Sequence, residues 1–228
     1  MKSITAFLGL FLFVSSLVSA QRSFGAVVAG IESGFDVAQF SDGMKARFSP
    51  SLQAEISVGR FTIGAGFGKK FYQPYDYYTY NGNIVERMVN NAIVRYYLAD
   101  NRVFTPQHWI IPVKLNIRIH RCDCVYLHAG VIFDKVDLSK PDVIKFSGAE
   151  FQQPVGVGIT RFDLIKERTR SYELGVGFNV FRRDFFRLTA RPAYVLTENP
   201  EVYADTDIPK WLPTLRFSFA AQFAIWRP

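Results

Sequence analysis

The sequence contains few of the residues from which active sites and metal centres are most often built. Its 228 residues include 3 His and 2 Cys. Nucleophilic catalysis needs a nucleophile, a base and an orienting group close together. The strand pattern described below sets no Ser and acid partner beside His108, and it puts His120 and His128 toward the periplasmic half. A metal site would need more ligands than Cys122, Cys124 and His120 provide. We therefore predict no enzymatic activity, no catalytic residue, no metal site and no cofactor.

Long apolar runs are missing after residue 20. A membrane-spanning helix needs ~20 apolar residues, so a helical membrane protein is excluded. The first twenty residues carry Lys2, an apolar run from Ile4 to Val14 and small residues ending in Val18-Ser19-Ala20. This layout is typical of a secretory signal peptide, and we expect cleavage after Ala20 and a single mature domain over residues 21–228. The alternative, an uncleaved anchor, would require a longer apolar run.

Apolar and basic residues are abundant. Hydrophobic residues make up 49% of the chain, aromatic residues 16%, and the net charge is +7. So much apolar surface must be buried or embedded in a membrane. A basic chain often binds nucleic acid, but a secreted protein does not normally meet it. We predict outer-membrane lipid and lipopolysaccharide as partners instead, with plain solubility as the alternative explanation of the charge.

Apolar and polar residues alternate strictly in segments along the chain, as expected when β-strands have lipid on one side and a filled lumen on the other. Short connections after the second, fourth and sixth segments alternate with longer ones, which is typical of short periplasmic turns and long extracellular loops. The predicted fold class is an all-β, transmembrane, antiparallel up-and-down β-barrel of eight strands. A soluble lipocalin-like barrel, with its apolar face inside, is the alternative. The eight segments are Phe24–Ala38, Ala46–Val58, Phe61–Phe71, His108–His120, Val125–Asp134, Ser171–Val180, Phe186–Leu196 and Thr214–Trp226.

Two of these segments carry a family resemblance. Trp109–Leu115 looks like an apolar-Pro-apolar-Lys motif of the fourth strand, and Leu215–Trp226 looks like an assembly-signal last strand. Over nearly the whole mature chain the pattern resembles small eight-stranded outer-membrane barrels of the OmpX and OmpA-transmembrane type, and more closely the porin-family or PorT-like barrels. The resemblance implies a location in the bacterial outer membrane. The closer resemblance, to PorT-like barrels, further implies a part in secretion.

The inward faces of the predicted strands carry charges of both signs. An eight-stranded barrel is just wide enough for its own side chains to fill, so we predict no open pore. Buried charges must be paired to be tolerated, which favours a salt-bridge network that plugs the lumen over a gated ion path. The predicted network consists of Glu32, Asp36, Arg47, Glu55, Lys70, Lys114, Arg118, Asp134, Glu173, Arg187, Arg191 and Arg216.

Three long connections remain. In 74–107, apolar residues three and four apart from Val85 to Tyr96 favour a short amphipathic helix, with a protruding strand hairpin as the alternative. In 136–169, the alternation of Val155, Val157 and Ile159 predicts that strands five and six continue as a protruding sheet, whose edge is satisfied within the chain or pairs with another one. In the last loop, a solvated acidic segment is favoured over a calcium site; its acids are Glu198, Glu201, Asp205 and Asp207.

The predicted periplasmic turns carry two further features. Cys122 and Cys124 lie in one turn in an oxidising compartment, and a bridge across a single residue would be strained. A static local disulfide or two idle thiols are favoured over a redox element or an intermolecular link. Basic residues at this rim can reach lipid phosphates, and they are Arg60, Arg121, Arg182, Arg183 and Arg227.

The predicted function is that of a non-enzymatic outer-membrane barrel that serves as a structural or interaction component. In its more specific form, the prediction makes it an accessory subunit of a larger secretion or uptake complex. Its extracellular loops would contact other outer-membrane proteins. Two alternatives stay open. A small-solute or ion conduit would show conductance in planar bilayers, and a lipid-modifying enzyme would change lipid masses in a way that is lost in His108→Ala.

Overall fold

The computed structural model describes residues 27–40, 46–119, 124–137, 141–183, 185–202 and 209–226. The predicted signal peptide lies outside these residues. Within them, no helix is long and apolar enough to cross a membrane. The elements are β1 Val27–Gln39, β2 Ala46–Val58, β3 Phe61–Tyr72, β4 Tyr75–Val89, β5 Ala92–Phe104, β6 Gln107–Arg118, β7 Val125–Asp137, β8 Val143–Phe151, the single-turn helix α1 Arg161–Leu164, β9 Arg168–Arg182, β10 Phe186–Glu198 and β11 Trp211–Trp226.

Eight of the strands form a closed barrel in the order β1-β11-β10-β9-β7-β6-β3-β2. Every neighbouring pair is antiparallel, and β1 closes the ring by pairing with both β2 and β11. The barrel strands are 12 to 16 residues long, which exceeds the ~9–11 residues that a strand needs to cross a bilayer. The predicted fold class, the eight-stranded architecture of small outer-membrane barrels, is confirmed.

The barrel wall is apolar outside and charged inside. Leu174 and Ile63 face outward and are 67% and 62% exposed, whereas Arg216 and Lys70 face the lumen and are 2% and 1% exposed. A water-soluble barrel needs the opposite arrangement, because apolar surface is driven out of water and charge is not. The lipocalin-like alternative is therefore excluded.

Aromatic side chains form two groups on the outer wall. Phe67 stacks on Trp109 with ring centroids 5.1 Å apart near one end, and Phe186 contacts Phe223 at 5.0 Å near the other. The strand β11 carries an aromatic residue near each end, Trp211 and Phe223, which are twelve residues apart. A rise of ~3.3 Å per residue and a tilt of ~45° put them ~28 Å apart along the barrel axis, close to the ~25 Å height of the apolar band of outer-membrane barrels.

The barrel has a turn end and a loop end. Gly59 and Arg60 connect β2 to β3 at the turn end. The loop end carries a separate three-stranded sheet in the order β4-β5-β8, which we call the loop-end sheet. The loop-end sheet uses the connections between β3 and β6 and between β7 and β9.

The helix favoured for 74–107 is wrong. The segment is the β4–β5 hairpin, paired from Tyr75 with Phe104 to Val89 with Ala92. Asn90 and Asn91 at its tip have φ of 49° and 62°, the left-handed pair that a two-residue type I′ hairpin turn requires. Asn tolerates that conformation, so the turn overrides the helical spacing. The hairpin belongs to the loop-end sheet and adds no strand to the barrel wall.

For 136–169, the prediction that the fifth and sixth predicted strands continue as a protruding sheet is wrong in which strands pair. The loop-end strand β8 pairs with β5, from a different connection, and not with an extension of β7 or β9. The alternating residues 155–159 form a turn, in which the Ile159 N–H donates to the Gly156 carbonyl at 3.3 Å. Gly156 and Gly158 have φ of 62° and 69°, which strands do not adopt.

Candidate functional site: closed lumen and loop-end sheet

Near the loop end of the lumen, Arg216 holds two carboxylates from opposite sides. Its Nε and Nη2 donate to the two Asp36 oxygens at 2.6 and 3.2 Å, and its Nη1 donates to Glu173 at 2.8 Å. Lys70 Nζ lies 3.3 Å from Asp134. A planar guanidinium with several donors suits such bridging, and Arg216 thereby ties β11 to β1 and β9.

A second group fills the middle and the turn end of the lumen. Glu32 pairs with Lys114, across strands separated by β2 and β3, and with Arg191 Nη2 at 2.7 Å. Glu55 lies 3.8 Å from Arg191 and 2.9 Å from Arg187. The pairs therefore join strands that are not neighbours in the barrel, and removing one partner would leave a buried charge uncompensated.

Of the predicted network, Arg47 lies elsewhere. Arg47 is exposed, because the pairing of β2 with β3 shifts in register between Ala46 and Phe48. As a result Ala46, and not Arg47, faces the interior. Arg118 is half-buried and lines a space at the turn end of the lumen. The remaining predicted residues are buried or half-buried in the lumen, and they are Glu32, Asp36, Glu55, Lys70, Lys114, Asp134, Glu173, Arg187, Arg191 and Arg216.

The network also includes a histidine that we did not predict in it. His128 Nδ1 lies 2.7 Å from Asn116 Oδ1, and its Nε2 lies 3.3 Å from Glu173. His128 shares the even-numbered face of β7 with Asp134, so the alternation contained the signal.

Glycines on the wall strands leave space for large side chains in the lumen. A Cβ on Gly64 would lie 2.9 Å from Glu55 Cγ, and one on Gly177 would run into the Tyr126 ring. Two spaces between the lumen side chains measure about 20 Å³ and about 10 Å³. A single water needs ~10–15 Å³ on this measure, so the larger space has room for one or two waters and the smaller for one at most.

An apolar cluster lies at the loop-end mouth of the lumen. Tyr72 at the end of β3 packs with Tyr77 and Phe104 at the base of the hairpin and with Leu164 and Ile165 from the α1 segment. All five are buried. The cluster caps the charged lumen and fixes the loop-end sheet to the barrel.

His108, the residue considered for catalysis, lies buried beside this cap. Its ring centroid is 4.7 Å from that of Tyr72. Neither ring nitrogen has a hydrogen-bond partner among the described residues, and the side chain is 0% exposed. The packing of His108 is that of an interior residue.

Polar contacts organise the loop-end sheet around Asp100 of its central strand. Ser147 Oγ and Asn81 Nδ2 donate to its carboxylate at 2.6 and 3.2 Å. The bond from Ser147 first, and then that from Asn81, lower the pKa of Asp100 below its usual value. Since Ser147 lies on β8 and Asn81 lies on β4, at its register shift between Tyr80 and Ile84, Asp100 joins all three strands.

A groove of about 540 Å³ lies beside the sheet. The Tyr77 hydroxyl donates to Asp142 at its edge, and the buried Nε of Arg102 has no hydrogen-bond partner in the described part of the chain. Aromatic faces, hydroxyls and a guanidinium together suit a polar ligand with an apolar face. The polar lining residues are Tyr77, Thr79, Tyr80, Arg102, Asp142 and Thr160.

The hairpin tip exposes apolar side chains. Met88 and Ile93 face each other across the hairpin and are 75% and 69% exposed. Arg87 and Arg95 flank them, paired with Glu150 at 2.5 Å and Glu86 at 2.8 Å. Exposed apolar side chains that lie together are a feature of interaction surfaces.

Several predicted features lie wholly or partly outside the described residues. Cys124 is not a free thiol, but Cys122 is outside, so their pairing stays a prediction. Arg60, Arg182 and Arg183 are exposed at the turn end, while Arg121 and Arg227 are outside. Asp205 and Asp207 are also outside, and the acidic loop stays a prediction.

Comparison with known proteins gives distant likenesses. No protein-family model and no curated protein sequence matches the chain. The chain is similar to Ail, the attachment invasion locus protein of Yersinia pestis, whose structure was solved in complex with the heparin analogue sucrose octasulfate. The two sequences are 10% identical, the match covers 86% of this chain and 96% of that chain, and the TM-score is 0.33. It is also similar to outer-membrane expressed OmpT of Vibrio cholerae, with 13% identity over 78% of this chain and 56% of that chain and a TM-score of 0.21. Likenesses this distant transfer no function, and the finer resemblance to OmpX, OmpA or PorT-like barrels stays a prediction.

Proposed function

We propose that this protein is a non-enzymatic β-barrel of the bacterial outer membrane that serves as a structural or interaction component, exported by a cleaved signal peptide. Its loop-end sheet stands at the cell surface. In its more specific form, the proposal makes the chain an accessory subunit of a larger outer-membrane secretion or uptake complex.

The observation that carries the proposal is the contrast between a filled lumen and an exposed sheet. The lumen charges are ion-paired across the barrel, and the apolar cluster around Tyr72 caps their loop end. A solute path through such a lumen would have to break buried pairs, each of which is costly to separate. This arrangement supports an interaction role over a conduit.

The loop-end sheet supports the same role. Met88 and Ile93 lie at the tip of a hairpin whose two strands have 15 and 13 residues, so that it reaches ~45 Å at ~3.3 Å per residue. The groove beside Arg102 lies nearer its base. The sheet therefore offers an apolar tip and a polar groove to a partner.

Gentle detergent extraction of the tagged protein from its native outer membrane tests the proposal. Native sizing should show a stoichiometric companion with the wild-type chain, and the companion should be lost from Met88→Ser/Ile93→Ser. The matched control, Val157→Ser/Val202→Ser, changes two exposed apolar residues at the loop end outside the sheet strands and should keep it. A lone monomer with all three chains would overturn the interaction role, and stepwise conductance in planar bilayers would establish the conduit in its place.

A further inference from the structure

Basic and aromatic side chains form a row around the outer wall at the loop end. Across β3, β6, β7 and β9, the strand register puts Lys69 beside Trp109, Trp109 beside Lys135, and Lys135 beside Arg168. Directly paired residues point to the same face of a sheet, and this face is the outer one. Arg170 lies two residues further along β9, opposite Phe133. We call Lys69, Lys135, Arg168 and Arg170 the basic row.

The positive charge of the basic row is only partly compensated. Glu167 is shared by two cations, Lys135 at 3.8 Å and Arg168 at 3.9 Å. Glu198 is likewise shared, by Arg170 at 3.9 Å and Lys166 at 3.6 Å. Lys69 has Asp137 at 3.0 Å. In this part of the described structure, five cations thus face three carboxylates. Lys135 and Arg168 are also directly opposite each other, and like charges in that position repel.

The depth of the basic row matches the edge of a bilayer. Trp109 lies within the row, with Lys69 Nζ 4.1 Å from its ring centroid. Tyr172, two residues from Arg170, contacts Trp211 at 5.6 Å between centroids. Trp and Tyr girdles mark the membrane interface, and long basic side chains extend from there to the headgroups. An anion that meets the row is therefore one carried by a lipid.

We propose that the basic row binds the phosphate groups of a phosphorylated glycolipid in the surrounding outer leaflet. The inference rests on the proposed membrane location, with the loop end facing outward. Lys135, Arg168 and Arg170 are 60%, 77% and 55% exposed, so their donors are accessible from the lipid side. Guanidinium groups bind phosphate through paired hydrogen bonds. The row crosses three strand-to-strand gaps of ~4.8 Å, or ~14 Å in all, long enough to contact more than one phosphate.

The test is a lipid titration of the purified full chain in detergent, followed by native mass spectrometry. The probes are bis-phosphorylated lipid A, the same lipid A without phosphates, and phosphatidylglycerol. We expect the first to bind most tightly. Loss of ~1 kcal/mol for each of three cations corresponds to roughly 100-fold weaker binding in Lys135→Gln/Arg168→Gln/Arg170→Gln. The control Arg87→Gln/Arg95→Gln/Lys145→Gln removes three exposed charges from the loop-end sheet and should bind lipid A like the wild type.

Equal loss in both triple variants would overturn the inference, because the effect would then follow net charge. Equal binding of lipid A with and without phosphates, or of lipid A and phosphatidylglycerol, would also overturn it. Since the titration contains no partner protein, its outcome is separate from that of the extraction experiment. Protease cleavage of the hairpin on whole cells tests the outward orientation independently.

Discussion

The lumen and the loop-end sheet use the same kind of ion pair in opposite surroundings. Arg216 meets Asp36 and Glu173 with its side chain 2% exposed, whereas Arg95 meets Glu86 with its side chain 69% exposed. Charges removed from water must be paired, while exposed pairs are screened and contribute little. The lumen therefore determines stability and tolerates little change. The sheet is free to vary, and new contacts can arise there without unfolding the barrel.

The largest expected effect separates these two settings directly. Arg216→Met leaves Asp36 and Glu173 buried without their shared partner, and we expect the free energy of unfolding to fall by ~3–5 kcal/mol. Arg95→Met removes a single exposed contact, to Glu86, and should lower the free energy of unfolding far less, because solvent screens an exposed pair. Urea titrations of the folded chain in micelles measure both. Equal losses would show that burial does not distinguish the two regions.

Steric room in the lumen gives the next effect. Gly177→Ala places a methyl group against the Tyr126 ring, and overpacking of this kind costs ~1–3 kcal/mol. Tyr126→Ala in the same chain should relieve most of that cost, so the double variant should be more stable than the sum of the single changes implies. Strict additivity in the same urea titrations would contradict the contact.

The barrel was predictable because its signal is local. A period of two can be read from one strand at a time, so all eight wall strands and most of the inward charges could be identified from alternation. Arg47 was misplaced because a register shift beside Phe48 breaks the alternation where no residue type marks it. His128 was overlooked as a network member although its position fitted the same pattern.

The loop-end sheet was predictable only in part. Asn90-Asn91 is a hairpin signal, but the spacing of Val85, Met88 and Val89 also fits a helix. The helix was favoured because the spacing covers more residues than the two-residue turn. The pairing of β8 with β5 joins two connections that are distant in sequence, and no local pattern encodes it. The groove beside Arg102 depends on that pairing, so it was not predictable either.

The hairpin tip should show a smaller and local effect. Asn91 has φ of 62°, and a β-branched residue in that conformation costs ~1–2 kcal/mol. Asn91→Val should lower hydrogen-exchange protection in β4 and β5 and leave the barrel amides unchanged. Asn91→Gly is the control, since glycine adopts this conformation freely and should keep the protection. A loss of protection that spreads into the barrel would show that the two regions unfold together.

The smallest expected effect depends on pH and belongs to the sheet alone. The hydrogen bonds from Ser147 and Asn81 lower the pKa of Asp100, so the folded sheet prefers the charged carboxylate. The resulting stability is fully present above the unfolded pKa of ~3.9 and is lost as the pH falls through the lower folded value. The opening free energies of the sheet amides, measured by hydrogen exchange, should therefore be lower at pH 3 than at pH 5. Asp100→Asn does not titrate, so its sheet should be less stable at pH 5 and should change less between the two values. An identical decrease in both chains would assign the acid sensitivity to other carboxylates.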